Sequence, residues 1–371
     1  MRPAAERPPT PAAERPLTPA AGRPKTIVHV GGFPFGLRDG FQHSVAVKLS
    51  NGLIRNGHLV LNFSDRDMAR AKSLFGSRKF GVGPANTALL HFCRFHAPDL
   101  LLLGHADVIL PETLAAIRDA LPDIRIGQYN VDPLFEPDNV RRLTAKFAVV
   151  DASFVTTAGA PLAALRDGKR VVSFMPNPVD TSIERGENHL QETLPFDLFY
   201  ACGHPSRPLR RICGRDWDME DFIRALQARV PGLRARLGGL LGNPRVQGAA
   251  YQTALESAGI GLNVSRRADH YLYSSDRVAQ MAGNGMVVLM ERQTGYGDYF
   301  SDDEMAFFDS VNELVTQISV LIADPRRRMA IGAAGRARYH ALFNERAVAA
   351  HLCAVLQGTR DPEAMPWQAP R

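Results

Sequence analysis

Two stretches in the second half of this sequence carry the side chains best suited to hold an anion. Gly261-Leu-Asn263-Val-Ser265-Arg266-Arg267 follows a predicted strand, and Tyr273-Ser274-Ser275-Asp276-Arg277 opens a predicted helix. The free N–H groups of a helix start, with Arg266 and Arg277 beside them, make an anion site. A guanidinium clamps phosphate oxygens two at a time, so a diphosphate fits. Asp276 works against this, because a carboxylate in the first turn already answers the helix dipole. A capped helix with solvated arginines and a phosphate site therefore both stay open. The helix ends at Gly283-Asn284-Gly285, and the strand after it delivers Glu291, placed either to accept two ribose hydroxyls or to serve as an ordinary loop carboxylate. Asp298 is a weaker version of the same idea. Asp302-Asp303 resembles a metal-binding pair but has no accompanying ligands, so it reads as a solvated loop and no metal is expected.

The first half offers a second wall. Gly31-Gly32-Phe-Pro-Phe-Gly36 follows the first predicted strand; Gly32 would let a ligand approach the backbone, and a plain strand-to-helix turn explains the motif equally. Arg38, His43, Ser64-Asp65-Arg66-Asp67, His105 and Asn130-Val-Asp132-Pro133 all fall at or just beyond strand ends. Asp132 is the first choice for a general base, on a loop that Pro133 stiffens, and His105 is the second. No Walker A loop, His-Glu-x-x-His or Gly-x-Ser-x-Gly elbow occurs, which removes P-loop phosphoryl transfer, zinc hydrolysis and serine acyl transfer.

Such groups need a scaffold of parallel strands. From Thr26 onward, short apolar runs alternate with amphipathic stretches: strands at 26–30, 58–63, 100–103, 124–129 and 148–150, with helices between them. The second half repeats the pattern, with strands at 197–201, 260–264 and 286–291 and terminal helices over 311–322, 327–339 and 347–356. This alternation predicts an α/β protein of two doubly wound, Rossmann-like domains facing a cleft, with active groups beyond the carboxyl ends of the strands. The expected limits are a leader over 1–25, a first Rossmann-like domain over 26–180, a second over 181–356 and a flexible tail over 357–371.

A length of 371 residues suits two domains, and 45% hydrophobic residues exclude wholesale disorder. The net charge of +6 invites a nucleic-acid reading. Half of it sits in residues 1–25, where Arg2, Arg7, Arg15, Arg23 and Lys25 face only Glu6 and Glu14. There an eight-residue unit, Pro3–Thr10, repeats at Pro11–Thr18 and, degraded, at Pro19–Thr26; its prolines forbid a continuous helix and predict a disordered leader. The remaining charge is too thinly spread for a polyanion face, so no nucleic-acid partner is expected. Cys93, Cys202, Cys213 and Cys353 show no CxxC pairing and read as buried free thiols of a cytoplasmic protein. No apolar run approaches the ~20 residues of a membrane span.

The second half resembles the donor-binding domain of GT-B glycosyltransferases of group 1, and within them the CgeB-like branch. The likeness runs from Tyr251 through Asn263, Asp276-Arg277, Gly285 and Glu291 to the helix over 328–343; Met175-Pro-Asn-Pro-Val-Asp180 resembles the interdomain crossing and Asn130-Val-Asp132-Pro133 an acceptor-side element. In that branch an Arg-x-Phe-Glu helix is usual; here Ala279 and Gln280 replace the last two residues, which leaves donor sugar and stereochemistry open. The resemblance implies transfer of a sugar, without metal or cofactor, from a nucleotide sugar to a glycan or glycolipid, in bacterial surface polysaccharide or lipopolysaccharide assembly, with contact to the inner membrane face. It implies donor contacts at Asn263, Ser265, Arg266, Ser275, Arg277, Gln280, Gly285 and Glu291, acceptor contacts at Gly32, Arg38, His43 and Asp65, and Asp132 or His105 as base if the reaction inverts. A nucleotide-sugar 2-epimerase and a non-catalytic sugar-nucleotide-binding protein are the alternatives.

Overall fold

The computed structural model describes residues 23–33, 42–73, 76–202 and 209–367. Residues 1–22 of the leader and Arg38 lie outside them.

The first domain alternates β1 (Thr26–Val30), α1 (Val45–Arg55), β2 (Leu59–Phe63), α2 (Asp65–Ala71), α3 (Val82–His96), β3 (Leu100–Gly104), α4 (Pro111–Ala120), β4 (Arg125–Asn130), α5 (Pro137–Thr144), β5 (Ala152–Val155), the single turn α6 (Ala160–Ala163) and β6 (Val171–Phe174). Its six strands are all parallel, in the order β2-β1-β3-β4-β5-β6. β3 is buried along its whole length, as its unbroken leucine run requires of a strand covered on both faces. Ser44 caps α1 by accepting from Val47 N, and Gly57, at φ +89°, turns the chain after it.

The second domain runs β7 (Phe196–Ala201), a hairpin of β8 (Leu209–Ile212) and β9 (Arg215–Asp218), α7 (Met219–Arg229), β10 (Ala235–Gly238), α8 (Gly248–Glu256), β11 (Ala258–Asn263), α9 (Arg277–Gly283), β12 (Val287–Glu291), β13 (Ala306–Phe308), α10 (Val311–Ala323), α11 (Pro325–Phe343) and α12 (Glu345–Leu356). Its main sheet is parallel in the order β10-β7-β11-β12-β13. The sequence reading of two doubly wound domains matches this architecture. It misplaced one strand, putting it at 148–150 where the chain turns, and β5 begins only after Asp151. The cause is that Asp151 belongs to the strand lattice: its N–H donates to Ile126 O and its carboxylate accepts from Ile126 N and Arg118. Strands β6, β8, β9, β10 and β13 had no counterpart in the reading.

The chain crosses between the domains twice, and the crossings pair with each other. Val179 N donates to Phe343 O, and Glu345 N donates to Val179 O. Although α12 was expected within the second domain, it packs on α1, β4 and β5 of the first. A Cβ on Gly52 of α1 would run into the Glu345 carbonyl, so only glycine permits that approach. The segment after α12, expected to be flexible, brings Trp367 onto the ring of His351, where it is 3% exposed. Around the crossings, Lys48 and Glu184 form an ion pair at 2.5 Å with both side chains fully buried. Arg55 pairs with Asp180 at 2.8 Å and with Glu345 at 2.5 Å.

Two further fully buried groups predict a pH dependence. His29, between Ser50 Oγ and Tyr129 OH, and His351, against Ser173 Oγ, are both 0% exposed. Burial holds the first down to about 3 and the second to about 4, from an ordinary 6.5. Below pH 6.5 the unfolded chain binds protons that the folded chain refuses, so stability is full above that pH and falls as the pH drops. Between pH 6.5 and 5 the two groups together should cost about 3 kcal/mol, and His340, held at about 4 by burial, adds to the same slope. Thermal melts across that range test this. His351→Gln should flatten the slope in part, and a melting temperature unchanged between pH 7 and 5 would refute it.

Candidate active site

Both sheets have a crevice where the strand order reverses, between β1 and β3 in the first and between β7 and β11 in the second. Ligands of doubly wound sheets sit outside the carboxyl ends of the strands at these points.

In the second sheet, Arg277 spans the crevice. Its guanidinium donates to Ala201 O at the end of β7 (2.5 Å) and to Val264 O just after β11 (3.1 Å), and lies over the Tyr200 ring. Arg277 was expected to face phosphates freely; instead two of its nitrogens are committed to strand-end carbonyls that no other group satisfies so well. Its Nε remains buried without a partner among the described residues, as do Asn263 Oδ1 and Ser275 Oγ. All three belong to the segments that end β11 and open α9, where Asn263 Nδ2 donates to Ser274 Oγ and Ser275 N donates to Ser265 Oγ. Unpaired buried polar atoms are costly, and a ligand's own donors and acceptors are one way to satisfy them.

The other donor-side candidates are occupied differently. Arg266 reaches across the cleft to Glu136 at 2.5 Å and stacks with Arg267 on Phe135, so it ties the walls together. α9 is only seven residues long, and Asp276 sits at its start, where the free N–H groups were expected to take a phosphate. Gln280 is buried, with Oε1 accepting from Tyr251 OH (2.5 Å) and Nε2 donating to Asp276 Oδ2 (3.0 Å). Glu291 stands at the carboxyl end of β12 as expected, its Oε2 accepting from Cys213 N in the β8–β9 turn and from Gln293. Burial raises its pKa. Gly285 does not join the group: it follows the C-terminal end of α9, at φ +80°, packed on His189 at the opposite end of the sheet. Cys213 is only half-buried, whereas Cys93, Cys202 and Cys353 are buried.

In the first domain the carboxyl ends of the strands frame a polar cavity of about 240 Å³. It brings His105 and Asp132 together, with Nδ1 of the first 3.8 Å from Oδ2 of the second. The spacing of these residues carried no hint that they meet; β3 and β4 are adjacent, so the residues after them become neighbours. His105 and Ala106 hold left-handed backbone at φ 54° and φ 39°. Consecutive non-glycine residues of this kind are strained, and such strain gathers at functional sites. Burial lowers the His105 pKa below 6.5, with Asp132 pulling the other way, which favours a neutral imidazole at neutral pH. Asp65 lies beneath, 2% exposed, its carboxyl pushed up to about 6 by burial and by Asp107.

Arg66, named with Asp65 in the sequence reading, lines the cavity; the charged lining residues Arg78, Asp107 and Arg142 escaped that reading. Asp107 follows His105 by two, so its strand end would have flagged it; nothing in the sequence flags Arg78. His43 and Gly32 were grouped with these acceptor candidates but lie elsewhere. His43 Nε2 bonds Gln252 Oε1 of α8 at 2.7 Å, joining the domains, and Gly32 follows β1 with no atom of the described residues within 4 Å of where a Cβ would sit. Among the described residues no group of three His, Cys, Asp or Glu side chains is arranged to hold a metal ion, and no helix is long and apolar enough to cross a membrane.

The architecture is shared with solved structures. HepE from Anabaena, crystallised with UDP and glucose, aligns over 90% of this chain and 100% of its own at 12% identity and a TM-score of 0.55. The trehalose 6-phosphate synthase of Burkholderia multivorans aligns over 91% and 99%, at 12% identity and a TM-score of 0.55. The fold is GT-B. A putative UDP-N-acetylglucosamine 2-epimerase from Listeria monocytogenes has it too, over 93% and 99% at 10% identity and a TM-score of 0.51. The glycosyl transferase-like family matches residues 210–354, which cover the second domain of this GT-B chain from β8 almost to the end of α12. No curated protein matches the sequence.

Proposed function

We propose that this protein transfers a glycosyl group from a nucleotide sugar to an acceptor hydroxyl. The observation that carries the reading is the set of buried atoms without a partner among the described residues, Asn263 Oδ1, Ser275 Oγ and Arg277 Nε, on the segments that border the crevice of the second sheet. A nucleotide's ribose and diphosphate supply both the hydroxyl donors and the oxygen acceptors that these atoms lack. The match to a glycosyl transferase-like family over this domain and the fold shared with HepE, a protein crystallised with UDP and glucose, support the same reading.

In this reading the sugar projects from the crevice toward the cavity of the first domain. The bond from its anomeric carbon to the diphosphate breaks, a bond to the acceptor oxygen forms, and the acceptor proton passes to His105. With Nδ1 turned toward Asp132, Nε2 is the nitrogen that takes it. The departing diphosphate gains charge, and the fixed cation of Arg277 is the group nearest the crevice to stabilise it. Bacterial surface glycans or glycolipids, met at the cytoplasmic face of the membrane, are the acceptor class proposed, as part of the same reading.

A thermal-shift screen against UDP, GDP, CMP and dTDP sugars tests the donor half. One nucleotide series should raise the melting temperature, by the equivalent of about 2.7 kcal/mol at a hundredfold excess over Kd. Arg277→Ala should abolish the shift. If no nucleotide shifts the melt, the reading fails. The shared fold with an epimerase structure sets the second arm: rapid epimer formation with donor alone would replace transfer by 2-epimerisation.

A further inference from the structure

The first-domain cavity is built for a charged occupant. Arg66, Arg78 and Arg142 line it, from three separate elements, with only Asp107 and Asp132 among the lining carboxylates. Asp107 is shared: Arg66 Nε reaches it at 2.9 Å and Arg78 at 3.4 Å. Asp132 lies 3.6 Å from Arg142, beyond hydrogen-bond distance. The terminal nitrogens of Arg66 therefore have no partner among the described residues, and Arg142 has only a loose one. Behind this wall Lys146, 6% exposed, makes no ion pair or hydrogen bond among the described residues, while its ammonium lies in the field of Asp107, Asp65 and Arg142. Four cations thus face three carboxylates, and the deepest of these, Asp65, is the one whose charge burial opposes most.

Guanidinium groups pair best with planar or tetrahedral oxyanions, which take two N–H bonds at once. The cavity's volume of about 240 Å³ lies below the roughly 300–1,000 Å³ of sites that enclose drug-sized ligands, so it holds one sugar unit with a small anionic group, the terminal unit where the acceptor is longer. We propose that this cavity recognises an acceptor carrying an oxyanion, a phosphate monoester or a carboxylate, bound by Arg66, Arg78 and Arg142 beside the His105–Asp132 pair. This rests on the transferase reading for the word acceptor, but the anion site stands on the cavity alone.

Binding of glucose, glucose 6-phosphate, glucuronate and inorganic phosphate to the full chain, at constant ionic strength, tests it by calorimetry. At least one anionic probe should bind about tenfold or more tightly than glucose, a gap set by one to two charge-assisted hydrogen bonds. Arg78→Ala/Arg142→Ala, two arginines at the solvent-facing rim, should erase that advantage while leaving the melt and any UDP binding unchanged. No anion preferred over glucose would overturn the proposal, as would a preference that survives the double variant. Anion binding that obeys these expectations in a protein blind to every nucleotide would sink the transferase reading and leave this site standing. Nucleotide binding and transfer to neutral sugars with no anion preference would do the reverse.

Discussion

Glu184→Leu is expected to lower the melting temperature by on the order of 10 °C, the equivalent of about 3–5 kcal/mol for a chain of this size. The loss follows from what the substitution leaves behind. Lys48 and Glu184 lie at 0% exposure, and among the described residues Lys48 Nζ has besides the carboxylate only Pro178 O as a hydrogen-bond partner, at 3.1 Å. Without Glu184 an ammonium stays buried with one carbonyl for company, or loses its proton at a cost of similar size. Glu184 Oε2 also accepts from Asp180 N, so the substitution frees a backbone donor at the interdomain crossing. The pair itself need not be favourable against an apolar one, because both ions lose their hydration on burial. Hence Lys48→Met/Glu184→Leu should melt within a few degrees of the native chain, well above either single variant. Calorimetric melts of the four proteins read the outcome. A Glu184→Leu chain as stable as the native one, or a double variant worse than both singles, would show that the pair is not the constraint supposed here.

That pair also explains why the domains keep one relation. Lys48 belongs to α1 of the first domain, Glu184 follows the first crossing, and Arg55 links Asp180 on one crossing to Glu345 on the other. Charged groups thus pin a hinge whose backbone strands already pair at Val179. Across the cleft the fastening is lighter, at His43–Gln252 and Arg266–Glu136, and the latter pair is partly exposed. Domain opening that clears a path for a nucleotide would break the second set and spare the first.

The sequence disclosed the elements whose chemistry is local. Leu100–Leu103 is an apolar run with one use, and Pro111 and Gly57 mark helix boundaries wherever they stand. β8, β9, β10 and β13 stayed hidden because each is only three or four residues long, and Leu209-Arg-Arg-Ile212 becomes a strand only through its partner Arg215–Asp218. The sites divide the same way. His105 and Asp132 were legible one at a time, as polar residues past strand ends, and their meeting was not, since it depends on strand order. Gly285 misled for the opposite reason: it sits where a motif puts it, but the fold uses it for a turn on His189, while the bridging of two strand-end carbonyls by Arg277 could not be read from its neighbours in the sequence.

The second large effect concerns that meeting. His105→Asn is the informative variant, because asparagine tolerates the left-handed backbone that position 105 holds at φ 54°, so the loop survives while the imidazole goes. If His105 takes the acceptor proton, kcat should fall about 10²–10⁴-fold with nucleotide binding unchanged. The product should carry the anomeric configuration opposite to the donor's, since an external base serves direct displacement. The pH profile supplies an independent sign. Only neutral imidazole can act, so activity should fall on the acid side, at a pH below 6.5 because burial depresses the histidine. Asp132 works in the other direction by stabilising the imidazolium, so Asp132→Asn should move that acid limb to still lower pH while reducing kcat less than His105→Asn does. A merely structural role for Asp132 would lower stability or rate without moving the limb. Near-native kcat in His105→Asn, or retention of configuration at the native rate, would remove the histidine from the chemistry and leave the strained His105–Ala106 turn to be explained by the shape of the cavity alone.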